Sequence, residues 1–147
     1  MMEIFKYLNE NPGVFFLFFL FVFAWNAVFF YFGGKKAEAI FKGLDLNKVR
    51  FRERGASGFS KKSVITKFGG ASKVLDVIVT ESELCIKGIY SPFTYIGSKY
   101  DLTRRVKLAN ILSITEKGSN VELGFNVGND VVLQLKNKDK FIKAIKG

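Results

Sequence analysis

Residues 14–32 read VFFLFFLFVFAWNAVFFYF, nineteen positions without one charged side chain. At ~1.5 Å per residue, a helix of that length reaches roughly 28 Å, close to the ~30 Å hydrocarbon thickness of a bilayer. Nine of the chain's 17 Phe fall here, and no polar stripe interrupts them. A soluble core helix would carry such a stripe, so the expectation is a single transmembrane helix over 14–32. Pro12 and Gly13 punctuate one end, Gly33 and Gly34 the other. The anchor residues are Phe15, Phe19, Phe23, Trp25, Asn26, Phe30 and Tyr31, with Tyr31 where an aromatic-belt side chain would lie. Asn26 is the strongly polar residue of the stretch. It either bridges to helices of a larger complex or is simply tolerated.

A cleaved signal peptide needs a basic leader, a shorter apolar core and a small-residue cleavage site directly behind it. Residues 1–13 carry Glu3, Lys6 and Glu10, and Lys35 and Lys36 follow the apolar run at once. A retained anchor is expected instead. Lys6 is the single basic side chain before the span, whereas Lys35, Lys36, Lys42, Lys48, Arg50, Arg52 and Arg54 crowd behind it. The positive-inside rule then places residues 1–13 outside and the C-terminal side in the cytoplasm, at the cell membrane. One cysteine, Cys85, permits no disulfide within the chain, which suits a reducing compartment.

The net charge of +10 is uneven. Residues 1–34 sum to −1, residues 35–73 to +8 and residues 74–147 to +3. Cations beside an anionic leaflet gain about 1 kcal/mol each, so Lys35, Lys36, Arg50, Arg52, Arg54, Lys61 and Lys62 form a candidate anionic-surface site. Residues 35–46, KKAEAIFKGLDL, place Ala37, Ile40, Phe41 and Leu44 on one helical face. The basic juxtamembrane segment 33–48 is therefore either an interfacial amphipathic helix or a continuation of the span packed on the domain.

From residue 49 the hydrophobic period changes from 3.6 to 2. In VRFRER, Val49, Phe51 and Glu53 alternate with three arginines. Further strands are expected over 74–80, 84–89, 102–108, 111–116, 121–127 and 131–135, with Glu81-Ser82-Glu83 as a hairpin turn. Gly55-Ala56-Ser57-Gly58 and Gly69-Gly70 read as turns. Asn137 or Asp139 is placed to cap a last helix carrying Phe141, Ile142 and Ile145 on one side and Lys138, Lys140, Lys143 and Lys146 on the other. The expected architecture is mainly β: an antiparallel meander, as sheet or barrel, closed by a C-terminal helix. Residues 49–147 form one domain.

Val77-Ile78-Val79-Thr80, Leu84-Cys85-Ile86, the run from Val106 to Ile114, Val121-Glu122-Leu123-Gly124-Phe125, Val131-Val132-Leu133-Gln134-Leu135 and Asp139-Lys140-Phe141-Ile142 together resemble the PH-like superfamily, nearest to GRAM-type and bacterial PH-like domains. The resemblance implies a platform for lipid head groups or proteins and no catalysis. It does not carry a phosphoinositide site, because the first hairpin turns through Glu81 and Glu83 where basic residues would be needed.

No histidine is present, which removes His-based acid–base chemistry, Ser-His-Asp triads and His metal sites. No P-loop or nucleic-acid recognition motif occurs, and no cofactor or metal is expected. Glu81/Glu83 and Asp101/Glu116 are carboxylate pairs that strand-end solubility explains. Residues 90–100 read as an aromatic loop. Tyr90, Phe93, Tyr95 and Tyr100 are either a protein-interaction patch or a flap over one end of the sheet. The expected function is a single-pass docking module that binds a protein partner or the anionic membrane surface. The alternative is an accessory subunit recruited to a larger membrane complex through its span.

Overall fold

A computed structural model of the chain describes residues 12–63 and 70–147; the expected N-terminal segment up to residue 11, Lys67 and Gly69 lie outside the described residues. The apolar stretch forms helix α1, Pro12–Glu38. It is longer than the 14–32 expected, because Gly33 and Gly34 do not end it. Each glycine costs a helix ~1 kcal/mol relative to alanine. Packing on both residues, described below, offsets that cost. A 3-10 turn, Ala39–Phe41, continues the helix directly, and a second one, Leu46–Lys48, leads into the sheet.

Seven strands follow: β1 Val49–Ser60, β2 Ala71–Thr80, β3 Glu83–Gly88, β4 Arg104–Lys107, β5 Ile111–Lys117, β6 Asn120–Phe125 and β7 Val131–Gln134. Helix α2, Ser91–Lys99, lies between β3 and β4, and helix α3, Lys138–Lys146, ends the chain. All strand pairs are antiparallel, in the order β4-β3-β2-β1-β7-β6-β5. Two meanders, β1–β4 and β5–β7, are thus joined through β1. The sheet stays open, with β4 and β5 as its edges, so the barrel alternative does not apply.

β1 serves both halves by bending. It pairs with β2 from Val49 to Gly58 and with β7 from Ser57 to Ser60. Register shifts flank Ala56, and Gly55 takes φ +83°, a conformation that side chains disfavour. The segment 55–58, read from sequence as a turn, is therefore strand interior. A Cβ at Gly58 would lie 2.8 Å from both the Leu133 side chain and the Val132 carbonyl, so β7 can approach only a glycine there. Curling brings the sheet's ends together: the Arg104 guanidinium of β4 lies 4.8 Å from the Phe125 ring centre of β6.

The inner face of the sheet carries the main core. Leu75, Val77, Val79, Leu84, Ile86, Val121, Leu123 and Leu133 close around Phe141 of α3, which is fully buried and meets Phe51 edge-on at 5.4 Å. Asn137 stands at the expected cap position of α3 without a side-chain cap bond. The buried Glu53 carboxylate of β1 supplies the acceptors instead, taking the Lys136 N–H at 2.8 Å and the Asn137 N–H at 3.0 Å. Such charge-assisted bonds are stronger than neutral ones.

The outer face holds a second, smaller cluster of Phe41, Ile78 and Cys85, with Leu44 and Val49 against it. Residues 39–48 lie over this face as a strap. Arg105 of β4 clamps the strap by donating to the Lys42 carbonyl at 2.8 Å and the Ile40 carbonyl at 3.3 Å. Its other nitrogens hold Glu83 at 2.7 and 3.0 Å, and that bonding raises the Arg105 pKa. Of the two readings for residues 33–48, continuation of the helix with packing on the domain is the observed one. The anticipated apolar face splits: Ala37 and Phe41 are buried, while Ile40 points outward.

Candidate functional site

Helix α2 occupies the stretch that reads as a loop. Pro92 falls in its first turn, where a missing N–H costs nothing and a fixed φ helps. The helix is seated by small residues. The ends of β3 and α2 touch backbone to backbone, since a Cβ on Gly88 would overlap Phe93 and Thr94. Thr94, fully buried, donates to the Gly88 and Tyr90 carbonyls at 3.2 and 3.3 Å. The Gly97 carbonyl accepts from the N–H groups of Leu102 and Thr103.

This seating inverts the usual amphipathic order. The face of α2 toward the domain is Thr94 and Gly97, whereas Tyr90, Phe93 and Ile96 are exposed by 65%, 39% and 37%. Three apolar side chains at this helix are thus left partly open while its small residues are covered.

The same helix packs on the end of α1. The Tyr95 ring meets Phe29 and Phe30 edge-on at 5.5 and 6.1 Å. A Cβ on Gly33 would lie 2.6 Å from that ring, and one on Gly34 would lie 2.7 Å from the Ser91 Cβ. Ser91 Oγ donates to Glu38 Oε1 at 2.6 Å and closes the junction. The paired glycines are therefore the contact surface between the two helices, as small residues are wherever helix backbones approach closely.

The aromatic set of residues 90–100 divides accordingly. Tyr90 and Phe93 form an exposed pair with ring centres 6.3 Å apart, Tyr95 is the pin between the helices, and Tyr100 is half-buried at the C-cap. Phe15, Phe19, Phe23 and Trp25 lie exposed along α1, while Phe30 is half-covered by Tyr95. Tyr31 is exposed, with the Lys35 ammonium 4.5 Å above its ring centre. Asn26 donates its side-chain amide to the Val22 carbonyl of its own helix at 2.7 Å. Among the described residues α1 with its extension, Pro12–Phe41, is the one helix long and apolar enough to cross a membrane.

The basic set does not stand as one free patch. Arg50, Arg52 and Arg54 all face solvent, as the alternation requires. Arg52, however, forms a two-pronged pair with Asp76, with Nε to Oδ1 at 3.0 Å and Nη2 to Oδ2 at 2.6 Å. Lys61 is paired with Glu122, which also takes Lys117 at 3.0 Å. These two lysines hold the Glu122 carboxyl below its ordinary range. Arg50, Arg54, Lys62, Lys35 and Lys36 make no ion pair among the described residues.

Three of the four candidate carboxylates are engaged by other partners. Glu83 is held by Arg105 and Glu116 by Lys138, while Asp101 accepts from Asn129 at 2.8 Å and pairs with Arg104 at 3.2 Å. Burial lowers the Arg104 pKa, and its Nε has no acceptor among the described residues. Among the described residues no group of three His, Cys, Asp or Glu side chains is placed to hold a metal ion. Cys85 is buried in the outer cluster, and burial pushes its thiol up to about 11.

Sequence reasoning found the aromatics but missed α2 itself. The signal was Phe93 and Ile96 at spacing i, i+3 behind a proline suited to a first turn. The chain matches no protein-family model, no curated protein and no solved structure.

Proposed function

We propose that this chain is a single-pass membrane docking module, with α1 as the anchor and the sheet held as a PH-like platform at the cytoplasmic surface. The carrying observation is the outward apolar face of α2 beside the end of an apolar α1. Side chains such as Tyr90 and Phe93 suit the interfacial layer, where one end of an aromatic ring is dry and the other wet. Arg50, Arg54, Lys35 and Lys36 add attraction to an anionic leaflet, and the lysine and arginine asymmetry around the span supports the orientation. A tethered platform meets its partners at high effective concentration, so weak contacts to lipid or protein suffice. The accessory-subunit reading has less support, because Asn26 satisfies its amide within α1.

Flotation of a fragment spanning 37–147, which keeps Phe41 over the outer cluster, tests this reading. Salt-sensitive binding to anionic vesicles together with weaker, salt-resistant binding to neutral vesicles is expected. A folded fragment that floats with neither would remove membrane docking by the domain and direct the search to a protein partner.

A further inference from the structure

On one side of α2 the junction with α1 leaves a groove of about 460 Å³. Its wall is a stripe of α1, Trp25, Val28 and Phe32, facing Tyr95 of α2, and its lining includes Lys36 and Lys99. Trp25 and Lys36 are eleven residues apart on a continuous helix, roughly 16 Å at ~1.5 Å per residue. That is close to ~15 Å, half the hydrocarbon core of a bilayer. The groove thus has an apolar α1 wall over about the depth of one leaflet and two cationic side chains in its lining.

Neither lysine has a carboxylate partner among the described residues; Lys99 rests 5.3 Å above the Tyr95 ring centre. The companion groove on the other side of α2 is lined by Phe23, Ala27, Phe30, Pro92 and Ile96 among others, and no lysine lines it. The two grooves therefore differ in charge, since lysines line the first.

We infer that the groove between Trp25 and Lys36 seats one phospholipid with a net negative head group, acyl chain along the α1 stripe and phosphate between the Lys36 and Lys99 ammonium groups. The inference rests on the membrane reading above and names the ligand of that junction. Charge complementarity and matching length select this occupant. A neutral lipid has no net charge for the lysine pair to favour, and a soluble anion would leave the apolar wall bare.

Trp25 is the chain's single tryptophan and lines the groove, so its emission reports the lipid in contact with this part of α1. The full chain is reconstituted in phosphatidylcholine bilayers containing equal mole fractions of either brominated phosphatidylglycerol or brominated phosphatidylcholine, whose bromines quench tryptophan on contact. Preferential quenching by the anionic lipid is expected, with a preference of roughly fivefold. The Lys36→Ala/Lys99→Ala variant is expected to lose the preference yet stay quenched by both lipids. Lys140→Ala/Lys143→Ala, which removes equal charge from α3, is expected to retain it. Equal quenching by both lipids in the unaltered chain would overturn the groove assignment and leave the anchor standing. A preference that survives in Lys36→Ala/Lys99→Ala, or that vanishes equally in the α3 variant, would also overturn it. Absence of quenching by either lipid would overturn the anchor itself.

Discussion

The two faces of the sheet are closed by different means. The inner face is sealed from within the domain, by α3 and large apolar side chains centred on Phe141. The outer face is sealed from outside it, by the strap that continues α1, by Phe41 and by the Arg105 clamp. A thick self-contained core therefore backs a thin layer borrowed from the proposed anchor. The domain's stability resides on one side, and its connection to α1 on the other.

Removing the inner plug is the harshest test of that contrast. Phe141→Ala is expected to cost about 3–5 kcal/mol in denaturant unfolding of the 37–147 fragment, because the site is fully enclosed. A loss under about 1 kcal/mol would mean that α3 is dispensable to the core.

On the outer face, Phe41→Ala is expected to cost about 2 kcal/mol, less than Phe141 because the layer is thinner. Its sharper readout is Cys85. With the thiol held up to about 11 against an ordinary 9.0, the folded protein keeps the proton more tightly than the unfolded chain. That contribution to stability is complete below about pH 9 and is lost as pH climbs toward 11. Maleimide should label folded Cys85 slowly at pH 8. Phe41→Ala should accelerate labelling by admitting water, and an unchanged rate would show that the strap does not shield the thiol.

At the helix junction, Gly33→Leu drives a side chain into the Tyr95 ring. Overpacking of this kind costs about 1–3 kcal/mol, here confined to the α1–α2 contact. Hydrogen exchange should quicken in α2 while the amides of β6 and β7 stay protected; equal deprotection everywhere would erase the distinction between the two faces. Least of all should Asn26→Ala matter. The amide it removes bonds within α1, so thermal unfolding of the full chain in detergent should shift by about 1 °C or less, and a large shift would revive an intermolecular role.

Much of the inner face was legible because its cause is local. Alternation in residues 74–80, 84–89 and 121–127 marks the strands that the sheet contains, and the 3.6 period of Phe141, Ile142 and Ile145 marks α3. The outer face was not, because its causes are distant or inverted. Pairing of Arg52 with Asp76 joins residues 24 apart in sequence, and no spacing rule reaches that far. Helix α2 hides its small residues and shows its large ones, so it reads as a loop. Gly33 and Gly34 look like a stop, since only the presence of Tyr95 and Ser91 makes glycine an asset there. Gly55 and Gly58 mislead likewise: they permit a bend and a close approach within β1 rather than ending it.

The uninterrupted run from α1 through the 3-10 turn into the clamped strap also fixes a phase. Side chains on a helix advance about 100° per residue. One residue inserted in α1 ahead of Phe29 would rotate everything upstream by that angle about the axis, while Phe29, Phe30, Gly33 and Gly34 stayed on Tyr95 and Ser91. The azimuth of the N-terminal half of α1 and the heading of the sheet are thus geared together. A twist applied to the N-terminal end of α1 would arrive at the domain as a turn, carried through the Tyr95 and Ser91 contacts.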